Sequence, residues 1–220
     1  AYLNKYPNGF ISQQANFKLE NLAKAKITTQ ADKNGVIQKL GEPRFRVGDS
    51  WVIAIKDGYS GVVVKRVSNK VTKIENDIVY IESDAGDELR TIDGGVIKLI
   101  TSDRFGTFDP PRVDMPGDEL IVGKKWTSSS RISGNFGSNF ETQEIKIVAL
   151  EKISVPAGTF WAYKFETSGF VGGTRVQHFY WCEPNWGIRI KWIRTVFRPR
   201  GTLLETYELE SRTRGPLVGL

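Results

Sequence analysis

Few side chains in this sequence could carry out catalysis. His178 is the only histidine and Cys182 the only cysteine among the 220 residues. The usual zinc sites need several histidine or cysteine ligands, and this chain has neither a second histidine nor a Cys-x-x-Cys pair. His178 and Cys182 are four residues apart on one predicted strand, so they face the same side about 13 Å from each other, too far for an ion pair. We therefore interpret His178 as an ordinary strand residue and expect no catalytic residue, no metal site and no cofactor.

One carboxylate has neighbours that are typical of a carbohydrate site. Glu183 lies between Trp181 and Trp186. Enzymes that cleave sugars use a pair of carboxylates, and no second acid can be chosen from the sequence. A carbohydrate-binding or carbohydrate-cleaving protein that uses these three residues is an alternative, and exposed tryptophans would favour it. Buried tryptophans beside a long apolar tunnel would favour a lipid ligand instead.

The stretch VPAGTFWAYKFET, residues 155–167, combines a turn with an aromatic strand. Proline fixes the first half of a turn, and glycine takes the conformation that other residues avoid. In the strand that follows, Trp161, Tyr163 and Phe165 share one face because side chains alternate along a strand. Three aromatic residues on one face predict the wall of a core or of a ligand cavity.

A hairpin accounts for the basic run between Arg189 and Arg200. A turn at Pro199 and Arg200 would place acidic residues of the last strand directly opposite these cations. Each such cross-strand pair stabilises a sheet by roughly 0.2–1 kcal/mol. The expected pairs are Arg189 with Glu210, Lys191 with Glu208 and Arg194 with Glu205.

The same hairpin register predicts a cavity. It places Trp192 opposite Tyr207 on the face that should point inward, and Arg194 and Glu205 share that face. A buried charge pair is costly unless water or further hydrogen bonds reach it. The pair therefore predicts a strand twist, a bulge or a wet interior, and a wet interior would be a cavity.

Composition and pattern predict a mainly β protein. Hydrophobic residues make up 40% of the chain, and its 22 glycines and 9 prolines separate short runs rich in Val, Ile, Thr and aromatic residues. Such runs suit strands joined by turns, and about a dozen of them are typical of a sandwich or barrel. No apolar run approaches the roughly 18 to 20 residues of a membrane-spanning helix. We expect an antiparallel half-open barrel or sandwich that does not span a membrane.

The net charge of +6 raises the question of a nucleic-acid partner. None of the sequence patterns of the common nucleic-acid-binding modules is present. Modest basicity also favours solubility and weak attraction to anionic surfaces without any specific partner. We therefore expect no nucleic-acid partner.

The chain is predicted to form one N-terminal helix followed by one β domain. Residues 1–35 carry apolar residues at helical spacing, and we assign them to a helix and linker. We assign residues 36–220 to a single antiparallel β domain. Within it VGDSW recurs as VGKKW, YIES aligns with KFET, and GVIKLI aligns with GIRIKWI. These matches predict an internal duplication into two related meanders, 45–108 and 120–213.

The Pro-dense stretch DPPRVDMPGDEL, residues 109–120, separates the two predicted meanders. Its prolines have no N–H to donate to a central strand. We expect it to be the connector between the meanders or a loop over the mouth of a cavity.

The motifs VPAGTF, FYWCEPNWGIRIKW and YELES resemble those of bacterial exported envelope proteins of uncharacterised function. The resemblance covers residues 45–213. It implies a fold akin to that of the lipoprotein carriers LolA and LolB, a curved and incompletely closed antiparallel sheet with a helix against its concave face. It also implies a periplasmic or otherwise exported location, and it brings no catalytic residues. The repeated Val-Gly-x-x-Trp opening departs from the carriers and puts lipid carriage in doubt.

These observations favour an exported, non-enzymatic binding protein of the bacterial envelope. It would hold an apolar or amphipathic ligand, such as a lipid, against an aromatic-lined sheet covered by the N-terminal helix. A structural envelope scaffold with no ligand is a second alternative, favoured if the interior is packed solid, and an envelope protein partner is a further option. The candidate ligand-binding residues are Trp161, Tyr163, Phe165, Trp192, Tyr207, Arg194 and Glu205.

Overall fold

The structure is a computed structural model that describes residues 44–115, 120–184 and 186–216. The predicted N-terminal helix in residues 1–35 lies outside these residues. The domain boundary at residue 36 lies outside them as well and stays a prediction.

Twelve β-strands make up the regular structure of the described residues, which confirms the prediction of a mainly β protein. No helix among these residues is long and apolar enough to cross a membrane. The strands are β1 Ser50–Asp57, β2 Val63–Glu75, β3 Ile78–Ser83, β4 Asp87–Thr91, β5 Val96–Ile100, β6 Phe105–Arg112, β7 Lys125–Gly134, β8 Gly137–Val155, β9 Gly158–Val171, β10 Thr174–Cys182, β11 Arg189–Arg198 and β12 Gly201–Thr213.

The strands form one closed antiparallel barrel. Each strand pairs with its neighbours in the sequence, and β1 also pairs with β12 from Ser50 opposite Thr213 to Asp57 opposite Glu205. The expectation of a half-open barrel or sandwich is therefore wrong. Pairing the first strand with the last satisfies the backbone N–H and C=O groups that two open edges would leave unpaired.

Because every connection joins neighbouring antiparallel strands, successive turns alternate between the two ends of the barrel. One end, called the mouth, is marked by five residues in or beside these turns. They are Phe105, Phe136, Arg198, Pro199 and Arg200. All five are exposed.

The opposite end is closed by a packed apolar cluster, called the floor, made of Phe45, Trp51, Trp186 and Ile188. All four side chains are buried, and the Trp51 and Trp186 rings meet edge to face with centroids 6.4 Å apart. Gly187 allows this packing, because a Cβ atom at that position would lie 2.4 Å from Cζ of Phe45. The floor separates the interior of the barrel from solvent at this end.

Asp49 links the chain segment before β1 to the segment after β12, next to the floor. Its carboxylate is fully buried and accepts hydrogen bonds from the backbone N–H groups of Arg46 and Gly215 and from Nη1 of Arg214, all at 2.8 Å. A buried carboxylate needs such partners because desolvation penalises its charge. The segments before β1 and after β12 are thereby held together.

The β8–β9 hairpin is longer than its neighbours, and its tip leaves the barrel wall. A register shift between Ile147 and Ala149 marks the departure. The predicted turn is confirmed: β8 ends at Val155 and β9 begins at Gly158, which has a φ of 132°. The N–H of Ala157 in this turn donates to the carbonyl oxygen of Leu209 at 3.0 Å, so the tip is fastened to β12.

The two Val-Gly turns of the predicted duplication have the same local geometry. Gly48 has a φ of 90° and donates to the carbonyl of Val71 at 2.8 Å, while Gly123 has a φ of 97° and donates to the carbonyl of Ile147 at 2.8 Å. In each case the partner lies on the second strand after the turn. The duplication itself stays a prediction.

The Pro-dense stretch is only partly the expected connector. Pro110 and Pro111 lie at the end of β6. They fall in a register shift, because β5 pairs Lys98 with Thr107 and then Val96 with Arg112. A missing N–H donor therefore removes no ladder hydrogen bond at these positions.

Candidate ligand cavity

The barrel encloses a cavity of about 1140 Å³ that reaches solvent at the mouth. Cavities that bind small molecules usually measure about 300–1,000 Å³, so this one is slightly larger than that range. Its walls come from residues of the floor, from the inward faces of the strands and from the mouth. The described residues therefore do not fill the interior.

An apolar band, called the collar, lines one side of the cavity just inside the mouth. Its members lie near the mouth ends of β5, β7, β9, β10 and β11. They are Leu99, Ile132, Val171, Val176 and Val196. Val176 and Val196 lie opposite each other on β10 and β11, so the collar follows from the alternation of the strands.

Deeper in the barrel the wall is charged. Asp114 accepts from Nη2 of Arg189 at 2.5 Å and lies 3.0 Å from Nε of Arg112, and Arg112 also lies 3.6 Å from Glu141. Burial alone would raise the pKa of Asp114, but the charges of Arg112 and Arg189 outweigh it and lower the pKa to about 2. Asp114 is therefore ionised at neutral pH and holds both arginines in place.

Neutral groups extend this network around the wall. The Tyr180 hydroxyl donates to the backbone carbonyl of Asp114, and the Gln143 amide donates to Glu141. The Thr167 hydroxyl donates to Oε1 of Gln143 at 3.1 Å. Burial raises the pKa of Tyr180 well above its ordinary value, so its hydroxyl remains a donor.

The β11–β12 hairpin has the predicted register over most of its length. Lys191 lies opposite Glu208 and Arg194 opposite Glu205, with ion pairs of 2.9 and 3.3 Å. The turn falls at Pro199 and Arg200, as expected. Of the predicted ion pairs, these two are confirmed.

The third predicted ion pair, between Arg189 and Glu210, is wrong. Arg189 turns inward to Asp114, and Glu210 pairs instead with Arg66 at 2.8 Å. A register shift between Trp181 and Cys182 brings Arg189 opposite Cys182, whose thiol is buried. The buried Asp114 carboxylate then provides a stronger partner than a half-buried glutamate.

The inner face of this hairpin lines the cavity, as the charge pair on that face predicted. Trp192, Arg194 and Tyr207 all line it. The Trp192 and Tyr207 rings stack with centroids 4.4 Å apart, and the Tyr207 hydroxyl donates to Glu205 at 2.9 Å. Burial, followed by the Glu205 charge, raises the pKa of Tyr207 to about 12.

His178 lines the cavity beside Trp192, with ring centroids 5.4 Å apart. Its Nε2 atom and the Nε1 atom of Trp192 are buried without a hydrogen-bond partner among the described residues. Burial, followed by the charges of Arg189 and Arg194, lowers the pKa of His178 to about 3, so its imidazole is neutral. Sequence reasoning treated His178 as an ordinary strand residue, although the strict alternation of Val176, His178 and Tyr180 could have placed it inside.

Three predicted wall residues of β9 do not line the cavity. Phe165 and Tyr163 are buried in a solid cluster behind the wall, where Phe165 stacks on Tyr180 at 4.8 Å between centroids. Trp161 is 43% exposed, because it lies beyond the register shift at which the β8–β9 hairpin leaves the barrel. Whether any of them binds a ligand stays a prediction.

The residues of the carbohydrate alternative are not arranged as an open sugar site. Trp181 and Trp186 are 7% and 2% exposed, and Nε1 of Trp181 donates to Glu151 at 2.6 Å. Glu183 forms an ion pair with Arg212. Exposed tryptophans beside Glu183 were the condition that would have favoured sugar, and that condition is not met.

Cys182 and the acidic side chains give no sign of other reactive chemistry. Burial raises the pKa of the Cys182 thiol to about 12, which keeps it protonated and unreactive at neutral pH. Within residues 44–115, 120–184 and 186–216, no three His, Cys, Asp or Glu side chains are grouped to hold a metal ion.

Comparison with known proteins finds similar solved structures at low sequence identity. No family model matches the chain, and no curated protein matches it. Among solved structures, it is similar to the hypothetical lipoprotein YmcC from Escherichia coli, at 13% identity and a TM-score of 0.46 over 96% of this chain and 98% of that one. It is also similar to a candidate exported protein with a YmcC-like fold from Bacteroides fragilis, at 11% identity and a TM-score of 0.47 over 79% and 99%. A candidate lipoprotein from Parabacteroides distasonis matches at 14% identity and a TM-score of 0.44 over 78% and 99%.

Proposed function

We propose that this protein is an exported, non-enzymatic binding protein of the bacterial envelope that holds an apolar or amphipathic ligand inside its barrel. One observation carries the proposal, namely the cavity of about 1140 Å³ that is closed by the floor and reaches solvent at the mouth. A cavity of this size destabilises the fold, because side chains that could fill it would add packing contacts. We therefore attribute the presence of the cavity to a ligand.

The lining supports a ligand with both apolar and polar parts. The collar offers aliphatic surface near the mouth, and Trp192 and Tyr207 offer aromatic surface deeper inside. Arg112, Asp114 and His178 add polar groups at the same depth. Ligand pockets typically combine a largely apolar lining with a few fixed polar groups, and this distribution fits an amphipathic molecule better than a wholly apolar one.

The two alternatives have less support. A carbohydrate site at Glu183 would need accessible tryptophan faces, and Trp181 and Trp186 are buried. A scaffold without a ligand would be expected to fill its interior, and this barrel does not.

The first test identifies the ligand. Native mass spectrometry of the protein purified from its own host should show a species heavier than the polypeptide by the mass of one small molecule, which organic extraction releases. A polypeptide mass alone, together with failure to bind an added apolar probe, would contradict the proposal.

The second test blocks the cavity. Leu99→Trp places a large ring in the collar and should abolish the fluorescence increase of N-phenyl-naphthylamine, a neutral apolar probe. Val64→Trp adds the same ring at an exposed position of β2 and serves as the matched control, since Val64 does not line the cavity. Equal binding by the two variants would place the probe outside the barrel and count against the proposal.

The exported location is part of the same proposal and rests on the sequence resemblance. Fractionation of the native host should recover the protein in the envelope or periplasmic fraction. Recovery with the cytosolic enzymes would contradict this part without affecting the ligand tests.

A further inference from the structure

We propose that the ligand carries an anionic head group, and that this group binds deep in the barrel at an inner site formed by His178, Trp192 and Arg194, with its apolar tail directed through the collar towards the mouth. This inference rests on the proposed function, because it specifies the ligand of the same cavity.

The inner site has buried polar atoms without partners. The Trp192 indole N–H can only donate, and it is buried without an acceptor among the described residues. Nε2 of His178 is buried beside it in the same condition. Leaving buried polar groups unsatisfied is unfavourable, so the site calls for a molecule that carries hydrogen-bond acceptors. Water would satisfy the same atoms, and the surrounding charge must therefore decide the class of ligand.

The charge around the inner site favours an anion. Arg189, Arg194 and Arg112 all disfavour a positive charge on His178, whereas Asp114 alone among the strongest contributors favours it. Arg189 also lies over the Trp192 ring, 4.6 Å from its centroid. At His178 the arginine charges therefore outweigh that of Asp114, which favours a carboxylate, sulfate or phosphate beside the ring over a neutral group.

The mouth adds positive charge along the entry path. Among the described residues, the charged side chains that line the cavity are eight cations and three acids, namely Arg90, Arg104, Arg112, Arg189, Lys191, Arg194, Arg198 and Arg200 against Glu88, Asp114 and Glu141. The inner cations have acidic partners, some of them behind the lining, such as Glu205 and Glu208. Arg198 and Arg200 have no ion pair with any described residue, so the excess charge lies at the mouth, where it attracts anions.

The order of residues along β11 indicates the direction in which the apolar tail of the ligand points. Along β11, Val196 of the collar lies between Arg194 of the inner site and Arg198 of the mouth. Four strand residues span about 13 Å, so an alkyl chain that starts at the inner site passes the collar before it reaches solvent. The opposite orientation would bury the end of the alkyl chain against the unpartnered nitrogen atoms of Trp192 and His178.

The first experiment compares matched probes. Dodecyl phosphate and dodecyltrimethylammonium, each below its micelle concentration, compete with bound N-phenyl-naphthylamine, and inorganic phosphate is added in a third series. Dodecyl phosphate should bind at least about tenfold more tightly than the cation, and inorganic phosphate should not compete. Equal affinities for the two alkyl probes would overturn the inference, as would inorganic phosphate competing as well as dodecyl phosphate. Failure of N-phenyl-naphthylamine itself to bind would contradict the proposed function instead.

The second experiment locates the head group. His178 is the only histidine, so one pair of ring signals in the proton NMR spectrum reports its titration. Dodecyl phosphate should raise the pKa of His178 by about one or more, because an adjacent anion stabilises imidazolium, whereas N-phenyl-naphthylamine should leave it unchanged. An unaltered titration with dodecyl phosphate bound would place the head group elsewhere and overturn the inference.

A conservative variant tests the indole donor. Trp192→Phe removes the N–H while keeping a ring against Tyr207, and it should weaken dodecyl phosphate severalfold while leaving N-phenyl-naphthylamine binding nearly unchanged. Tyr59→Phe, which removes a hydroxyl donor at a position that is 71% exposed and does not line the cavity, is the matched control and should alter neither. If Trp192→Phe weakened the binding of both ligands, or of neither, a specific role for this donor would be contradicted.

Discussion

The floor and the mouth of this barrel are built from similar residue types, but these residues are buried at the floor and exposed at the mouth. Both contain aromatic side chains, and arginines lie within the mouth and against the floor. At the floor the side chains of Phe45 and Trp186 are buried, and Arg212 and Arg214 lie over the Trp186 ring at 4.7 and 5.2 Å from its centroid. At the mouth Arg200 and its neighbours are exposed.

The difference between the two ends comes from what the chain places across each of them. The floor is crossed by the segment before β1, by the β10–β11 connection and by the segment after β12, which Asp49 and the Trp51–Trp186 contact hold together. Only short turns among the described residues border the mouth. We conclude that the floor supplies stability and that the mouth supplies access, and three predictions test this division.

The largest expected effect is at the floor. Trp186→Ala removes a ring that is 2% exposed and packed against Phe45 and Trp51, and should lower the free energy of unfolding by about 3–5 kcal/mol. Trp161→Ala makes the same substitution at a residue that is 43% exposed and should cost far less. Urea denaturation of both variants checks the difference. Similar losses would show that the floor is no more important to stability than the outer surface.

An intermediate effect on the free energy of unfolding is expected at His178, which lies between the floor and the mouth. Its pKa is about 3 in the folded state and 6.5 when unperturbed, so the unfolded chain binds the proton first as the pH falls. The free energy of unfolding should therefore decrease as the pH falls from about 6.5 towards 3, by about 2 kcal/mol between pH 7 and pH 5. Arg189, Arg194 and Arg112 face the ring and oppose its protonation, while Asp114 favours it.

His178→Gln should remove this dependence. Urea denaturation at pH 7 and pH 5 measures it, and the range is informative because the chain has no other histidine and most carboxylates titrate below it. The same loss of stability in the variant and the unmodified protein would mean that another group is responsible.

The smallest effect on stability is expected at the mouth. Replacing Arg198 and Arg200 by serine should change the free energy of unfolding by less than about 0.5 kcal/mol, since both side chains are exposed and form no ion pair with a described residue. The same variant should slow the association of dodecyl phosphate at low salt. Arg131 and Arg175, which are exposed on the outer face near the same end, provide the control pair. A decrease of several kcal/mol in the free energy of unfolding would contradict the division between the two ends.

The local features of the fold could be predicted because neighbouring residues determine them. The turn at Pro199 and Arg200 sets the register of the last hairpin, and that register placed Arg194 and Trp192 on one inner face. The glycine of the VPAGTF turn, Gly158, has the positive φ that the motif predicts. A cavity was one of three explanations that the charged pair on an inward face allowed, together with a strand twist and a bulge, and Arg194 of that pair lines a cavity.

The composition of the cavity wall was harder to predict. Asp114 lies in a stretch expected to be a connector or lid, and it became the centre of the buried ion network. Arg189 was expected on the outer face. A register shift of one residue reverses the direction of a side chain, and no sequence pattern marked the shift between Trp181 and Cys182.

The sequence by itself determined the strands, the turns between them and the pairing of the last hairpin, because alternation, turn residues and cross-strand charges act over a few residues. Only the tertiary structure decided that Ser50 meets Thr213 to close the barrel, and that Asp114 draws Arg189 inward. These contacts join residues far apart in the chain. Their free energy depends on burial and on desolvated charge, which arise only when the whole sheet has curled around its interior.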